Sequence, residues 1–280
     1  MNMSKEWSPP LVAVKGAGDL ATGVIHRLVR SGFPVIATEL PQPTVLRRTV
    51  AFAEAVSLGE MTVEGITARR ADSIEGIQAA LKRSLVSVVV DPDGILLKQM
   101  QPVVLVEATL SKRNSGITMD DAPIVIALGP GYEAGRDVHA VIETNRGHNL
   151  GRVYLEGSAE PNTGVPGAIG GYSSERLLRS PCAGTIFGLR QIGDTVQAGE
   201  TVAIVKASPA GKDEMPVIAA ISGILRGLVR DGLGVTPGMK IGDIDPRAVR
   251  EHCFTISDKS RAVAGGVLEA IMYLGRKRIS

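Results

Sequence analysis

Residues 11–39 read LVAVKGAGDLATGVIHRLVRSGFPVIATE, and their order decides how the chain begins to fold. Leu11 to Val14 is a short apolar run, the pattern of a strand buried on both faces. Gly16, Gly18 and Ala21 then fit the spacing G-x-G-x-x-G/A, and Gly23 follows two residues later. Leu20, Val24 and Leu28 recur at helical spacing, and Gly32 closes the helix. A second apolar run, Pro34 to Thr38, ends at Glu39. The stretch is a complete βαβ unit. Gly16 permits a sharp turn off the strand, Gly18 lets the backbone come close to a phosphate, and Ala21 lets helix and strand pack closely. The first turn of the helix, opening at Asp19, offers free N–H groups and roughly half a positive charge to an anion. Glu39 stands about twenty residues past the glycines, where a carboxylate accepts both ribose hydroxyls and repels a 2′-phosphate. The expected ligand is NAD or another adenosine nucleotide rather than NADP.

Three further apolar runs follow. Val86–Val90 leads into Asp91-Pro92-Asp93-Gly94, Pro102–Val106 ends at Glu107, and Ala122–Leu128 ends in Gly129-Pro130-Gly131. Together they predict an α/β fold with a Rossmann-like parallel sheet. Ligands of such sheets bind at the carboxyl ends of the strands, which brings Glu39, Asp91, Glu107 and the Gly129–Gly131 turn into one candidate site. The acids suit ribose or a divalent metal, and the sequence leaves that choice open. Thr44 to Val56 (TVLRRTVAFAEAV) reads as a helix with Leu46, Val50 and Ala53 inward. Arg47 and Arg48 on it either reach the nucleotide or form a solvated face.

Residues 129–157, GPGYEAGRDVHAVIETNRGHNLGRVYLEG, are dense in glycine and polar groups. Asp137–Thr144 and Arg152–Leu155 read as strands around a loop at 145–151, with His139 in a structural role. Arg146 and His148 lie in that Gly-flanked loop and are candidate ligand contacts. Arg136 or Arg146 has the fork to hold a phosphate or carboxylate. No Ser/His/Asp or Cys/His catalytic signature is present, and His148 with Asp137 or Glu143 is the candidate acid–base set.

The second half repeats itself. Residues 184–205 (GTIFGLRQIGDTVQAGETVAIV) align without gaps on 223–244 (GILRGLVRDGLGVTPGMKIGDI) at an offset of 39, with six identities in 22 positions. Each half reads as short strands broken by glycine turns, too small to bury its apolar face alone, so the two must pack together. The pattern SPCAGTI…GDTVQAGE and its echo AISGIL…GVTPGM resemble the biotinyl/lipoyl barrel-sandwich hybrid. The linker KASPAGKDEMP between the halves lacks the biotinyl MKM, and Lys212-Asp213 echoes the lipoyl motif only loosely. No covalent biotin or lipoate is therefore expected, and the module reads as a binding or docking unit. Beyond it, Ser257 is placed to cap a helix whose Val263, Val267, Ile271 and Leu274 share one face and whose end Gly275 could cap. That helix is expected to pack back on the first domain, with Asp258 and Lys259 near the interdomain cleft.

Composition sets the outer limits. With 31 basic and 29 acidic residues interspersed and a net charge of +2, the chain offers no nucleic-acid surface. Cys182 and Cys253 sit in neither a metal spacing nor CxxC and read as reduced thiols. No signal-peptide core or membrane-spanning stretch appears, so a cytoplasmic protein is expected.

Over nearly its full length the chain resembles the YqeB-type family of selenium-dependent molybdenum hydroxylase accessory proteins. The likeness is carried by VKGAGDLATGVIHRL, LRRTVAFAEAV, IALGPGYEAGRDVHAVIETNRGHNLGRV, EPNTGVPG, KIGDIDPR and SDKSRAVAGGVLEAI. The front half is also similar to XdhC-like chaperones, which handle molybdenum cofactor. The resemblance implies a maturation role toward a molybdenum hydroxylase client protein and a nucleotide or molybdopterin dinucleotide as ligand. NAD, bound by an oxidoreductase or by a non-catalytic nucleotide sensor, is the alternative. No cysteine precedes Cys182, so the front half holds no thiol for a sulfur or selenium relay. The expected organisation is a Rossmann-like domain over 1–175, a small all-β barrel-sandwich domain over 176–250, and a C-terminal helix region over 251–280.

Overall fold

The computed structural model describes residues 9–162, 164, 167–207 and 214–278. Lys212 and Asp213, and Thr163, Val165 and Pro166 of the EPNTGVPG motif, lie outside the described residues.

The chain opens with β1 (Val12–Lys15), α1 (Asp19–Arg30) and β2 (Val35–Glu39), the βαβ unit read from the sequence. The expected helix at 44–56 is corrected: two 3-10 turns, Arg48–Val50 and Phe52–Glu54, lead into a single α-turn, α2 (Ala55–Leu58). Distant partners account for the change. The Ala53 N–H donates to the Ala17 carbonyl and the Phe52 N–H to Thr22 Oγ1, which pins the segment across the start of α1. A hairpin, β3 (Glu60–Val63) and β4 (Ile66–Ala71), turns at Glu64-Gly65 with φ of +45° and +81°, the left-handed pair that a two-residue hairpin demands. Then come α3 (Ile74–Lys82), β5 (Val86–Val90), α4 (Ile95–Met100), β6 (Val104–Glu107) and β7 (Ile124–Leu128). The two later strands are shorter than expected, β8 covering Ala140–Ile142 and β9 Val153–Tyr154.

These strands form one nine-stranded sheet in the order β3-β4-β5-β2-β1-β6-β7-β8-β9. Pairing is parallel from β4 to β8 and antiparallel at both edges. The direction of winding reverses between β1 and β6, which opens a crevice at their carboxyl ends.

The second half holds β10 (Leu177–Arg179), β11 (Gly184–Gly188), β12 (Thr195–Val196), β13 (Thr201–Lys206), β14 (Glu214–Ile218), β15 (Gly223–Leu228), β16 (Gly234–Val235) and β17 (Lys240–Asp245). The repeat is explicit here, since β15, β16 and β17 each start 39 residues after β11, β12 and β13. They make two antiparallel four-stranded sheets, β10-β17-β15-β12 and β14-β13-β11-β16. Each half lends its short middle strand to the other half's sheet. Ile186, Val196, Val202, Val205, Leu225 and Ile244 close the common core.

The final helix, α5 (Asp258–Arg278), runs past Gly275, which therefore does not end it. Its Val263, Val267, Ile271 and Leu274 are buried with Val24, Ile25 and Leu28 of α1 on one face of the parallel sheet. Leu97 of α4 and Ile77 of α3 pack on the other. Contact between α1 and α5 is close at Gly23, where a Cβ would lie 2.1 Å from Ser260 Oγ. Among the described residues no helix is long and apolar enough to cross a membrane.

Candidate functional site

The turn between β1 and α1 lies in the crevice. Gly16 has φ +98°, and a Cβ there would come within 3.3 Å of the Ala108 backbone at the end of β6. Glycine is thus required by the approach of two chain segments as well as by the turn itself. Gly18 caps α1 with no side-chain hydrogen bond, so the amides of the first turn keep the open valences of a helix start. Glu39, at the end of β2, is beside the turn as expected. Its carboxylate accepts from the Ala17 N–H at 3.0 Å and the Leu40 N–H at 2.8 Å. In this structure the acid braces the loop, and a ribose would have to share it.

Glu107 is buried at the end of β6. It accepts from the Thr109 N–H at 2.8 Å, the Thr109 hydroxyl at 2.5 Å and the Ser115 hydroxyl at 3.0 Å, with Lys15 Nζ 3.7 Å away. Asp91 has a different duty. Both its oxygens accept from amides, Ile95 at 2.8 Å and Leu97 at 2.9 Å, so it fastens the start of α4. Gly129 and Gly131, both at positive φ, serve packing: a Cβ would meet Thr144 Oγ1 at 2.5 Å in the first case and the Arg113 N atom in the second.

Arg146 is drawn away from the sheet edge to the start of α5, where it grips Asp258 with two hydrogen bonds of 2.9 and 3.2 Å. The hydrogen bond from Arg146 is the chief cause that brings the Asp258 carboxyl down to about 2. His148 is exposed and hydrogen-bonds to neither of its proposed partners. Glu143 accepts the Asn145 and Glu160 amides, and Asp137 pairs with Arg136. The acid–base set of the sequence reading is therefore not assembled. His139 is structural, its Nδ1 accepting from the Val125 N–H at 2.9 Å. Among the described residues no cluster of His, Cys, Asp and Glu could hold a metal ion.

The sequence did not reveal which side chains join the first half of the chain to the second. Arg47 is buried, and it is neither a solvated face nor open to a nucleotide. It donates to Asp19 at 2.8 Å and to the carbonyls of His252 and Thr255 at 2.7 and 2.8 Å. Arg48 Nε reaches the Leu228 carbonyl at 2.7 Å, and the Leu228 N–H returns a bond to the Leu46 carbonyl. Two further buried groups of the second half lie at this junction, Asp243 paired with Arg176, and Arg226. Arg226 had a signal in the sequence: it replaces Phe187 in the repeat, an apolar position turned cationic. Cys253 is also buried here, and burial pushes its thiol above the ordinary value, which disfavours the thiolate a relay would use.

The chain is 49% identical over 264 residues to the uncharacterized protein YqeB of Escherichia coli (strain K12), an alignment that takes in 94% of this chain. It spans about half, 48%, of that relative's length. No family model matches. Solved structures with partial likeness include a succinylglutamate desuccinylase/aspartoacylase from Rhodobacter sphaeroides, 14% identical over 85% of each chain with a TM-score of 0.28. Another is the ectoine utilization protein EutE of Ruegeria pomeroyi, 11% identical over 85% of each chain with a TM-score of 0.27. Scores of that size do not mark a shared fold.

Proposed function

We propose that this chain is a cytoplasmic accessory protein that matures a selenium-dependent molybdenum hydroxylase. Its front sheet binds a nucleotide or a molybdenum-cofactor-like ligand, such as a molybdopterin dinucleotide, and its second half docks the client. The observation that carries the ligand half of this reading is the crevice between β1 and β6. Winding reverses there, and α1 starts at that end of the sheet without a side-chain cap, beside the Gly16–Gly18 turn, a setting suited to a diphosphate. The interleaving of two duplicated halves supports a barrel-sandwich hybrid as the docking module. The client assignment rests on the resemblance of the quoted motifs to those of the accessory family.

The position of Glu39 beside the turn favours a second reading, an NAD-dependent oxidoreductase or a sensor of nucleotide without turnover. An oxidoreductase needs an acid–base pair at the crevice, and His148 has no such partner. The deciding experiment deletes the gene in its host, purifies the molybdenum hydroxylase and measures activity with molybdenum, pterin and selenium content. An inactive hydroxylase lacking one component supports the maturation role and names its step. A fully loaded, active enzyme overturns it.

A further inference from the structure

Lys15 and Glu107 end the two strands that border the crevice, β1 and β6, and they are partners in the parallel register. Three ionisable side chains converge there on one hydroxyl. Ser115 Oγ accepts from Lys15 Nζ at 3.2 Å and donates to Glu107 Oε2 at 3.0 Å. The Tyr132 hydroxyl lies 3.0 Å from the same oxygen and accepts from the Ser115 N–H at 3.1 Å. A serine carries one hydroxyl proton, and here it goes to the carboxylate, so the phenol is the donor in its bond with Oγ. A serine that only stitched a loop to the sheet would need one such partner.

The segment that brings Ser115 back to the strand ends is bent in ways that side chains resist. Leu110 and Lys112 have φ of +58° and +63°, in the left-handed region, and neither is glycine. Backbone of that kind persists only where its surroundings fix it, and it gathers at functional sites. Gly131 is part of that fixing, since a Cβ on it would strike the Arg113 backbone. Glu107 is buried, its other oxygen taken by the Thr109 amide and hydroxyl, and Tyr132 is buried too. Ser115 is exposed, and Lys15 keeps 29% of its side chain in solvent. The inner members are thus held in place, and the outer two meet solvent.

We propose that Ser115 is a nucleophile and that this cluster cleaves an acyl ester or thioester. Covalent catalysis requires a nucleophile within hydrogen-bond reach of a base that a third group orients. Ser115, Glu107 and Thr109 supply those parts in that order. In the first step Ser115 Oγ bonds to the acyl carbon while its proton passes to the Glu107 carboxylate. The carbonyl oxygen takes the electron pair of its double bond, and the Lys15 ammonium, on a flexible stem, follows the charge to it. Collapse breaks the bond to the leaving oxygen or sulfur, which departs with the proton from Glu107. Water then adds to the acyl-serine by the same route, freeing the acid and restoring Ser115. One cation beside the hydroxyl matches the single negative charge of a tetrahedral acyl intermediate. The cluster shares the crevice with the ligand proposed above and does not depend on that ligand's being a nucleotide.

The test treats the full chain with an alkyl fluorophosphonate and locates the adduct by mass spectrometry. The tetrahedral phosphorus of that probe mimics the acyl intermediate and loses fluoride to an activated serine hydroxyl. One adduct, on Ser115, is expected, absent from Ser115→Ala and formed at least about tenfold more slowly in Lys15→Met and Glu107→Gln. Ser111, exposed in the same loop, is the internal reference. Labelling of Ser111 as fast as Ser115 overturns the proposal, and so does the lack of any adduct. Glu107→Gln alters a buried group and can lose the fold, so Lys15→Met, with an unchanged circular dichroism spectrum, decides alone; a wild-type rate there overturns the cluster. Excess ADP that slows the labelling supports both the nucleophile and a nucleotide in the crevice. Labelling of Ser115 that ADP leaves unchanged keeps the nucleophile and counts against the nucleotide. A missing adduct beside ADP binding measured by calorimetry sinks the nucleophile and keeps the ligand, so the two readings fail separately.

Discussion

Arg47 holds Asp19 at 2.8 Å with one Nη and, with the other, the carbonyls of His252 and Thr255. One buried guanidinium therefore ties the first turn of α1 to the segment entering α5. Replacing Arg47 with Met leaves Asp19 and two carbonyls without their donor. Breaking a buried pair from one side costs about 3 kcal/mol. Urea unfolding should show that loss, and a variant within 1 kcal/mol of wild type would remove Arg47 from its role as the bolt.

Asp91 was legible as a strand-end acid, yet its two oxygens serve the Ile95 and Leu97 amides. Asp91→Ala is expected to cost roughly 1–2 kcal/mol, as loss of a helix cap does. Ligand affinity should stay unchanged. A variant of native stability with weakened ADP binding would return Asp91 to the site.

The Asp258 carboxyl is held near 2 against an ordinary 3.8, chiefly by the Arg146 hydrogen bond. Its folded value is depressed, so the pair stabilises the folded chain above 3.8 and loses that contribution as pH falls toward 2. Arg146→Gln should move the Asp258 titration, followed by carboxyl carbon NMR, up toward 3.8. A titration that does not move would mean the helix start, not Arg146, sets it. Asp258 is largely exposed, so solvent screening keeps the effect on overall stability small.

Cys253 is fully buried with its thiol pushed upward, whereas Cys182 is half-buried. A thiol reagent applied to the native protein should label Cys182 first, and Cys253 only once denaturant is added. Prompt labelling of Cys253 would reopen a sulfur or selenium relay through it.

The βαβ unit and the repeat were readable because each is local or periodic. β1, α1 and β2 follow from apolar runs and glycine spacing, and the offset of 39 recurs strand by strand. Segment 44–56 misled because its helical periodicity is real, but the backbone amides of Phe52 and Ala53 find partners on α1 and the β1–α1 turn. Arg146 misled for the same reason, its partner lying 112 residues away. The Glu64-Gly65 hairpin was missed although its turn chemistry was present: a glycine after a polar residue between two alternating runs. Charges paired across a domain junction leave no spacing rule in the sequence, and Arg226 announces itself only when the two repeats are read against each other.

The exchange of β12 and β16 between the two halves bears on how such a module holds together. A chain carrying one repeat would have its middle strand extended away from its own sheet, with nothing to pair it except the same strand of a second copy. Within one chain the exchange is intramolecular, so neither half can open without exposing the other's sheet edge, and the two halves are expected to melt as a single cooperative unit. Equivalent positions are nevertheless not interchangeable: one half carries Phe187 where the other carries the buried Arg226.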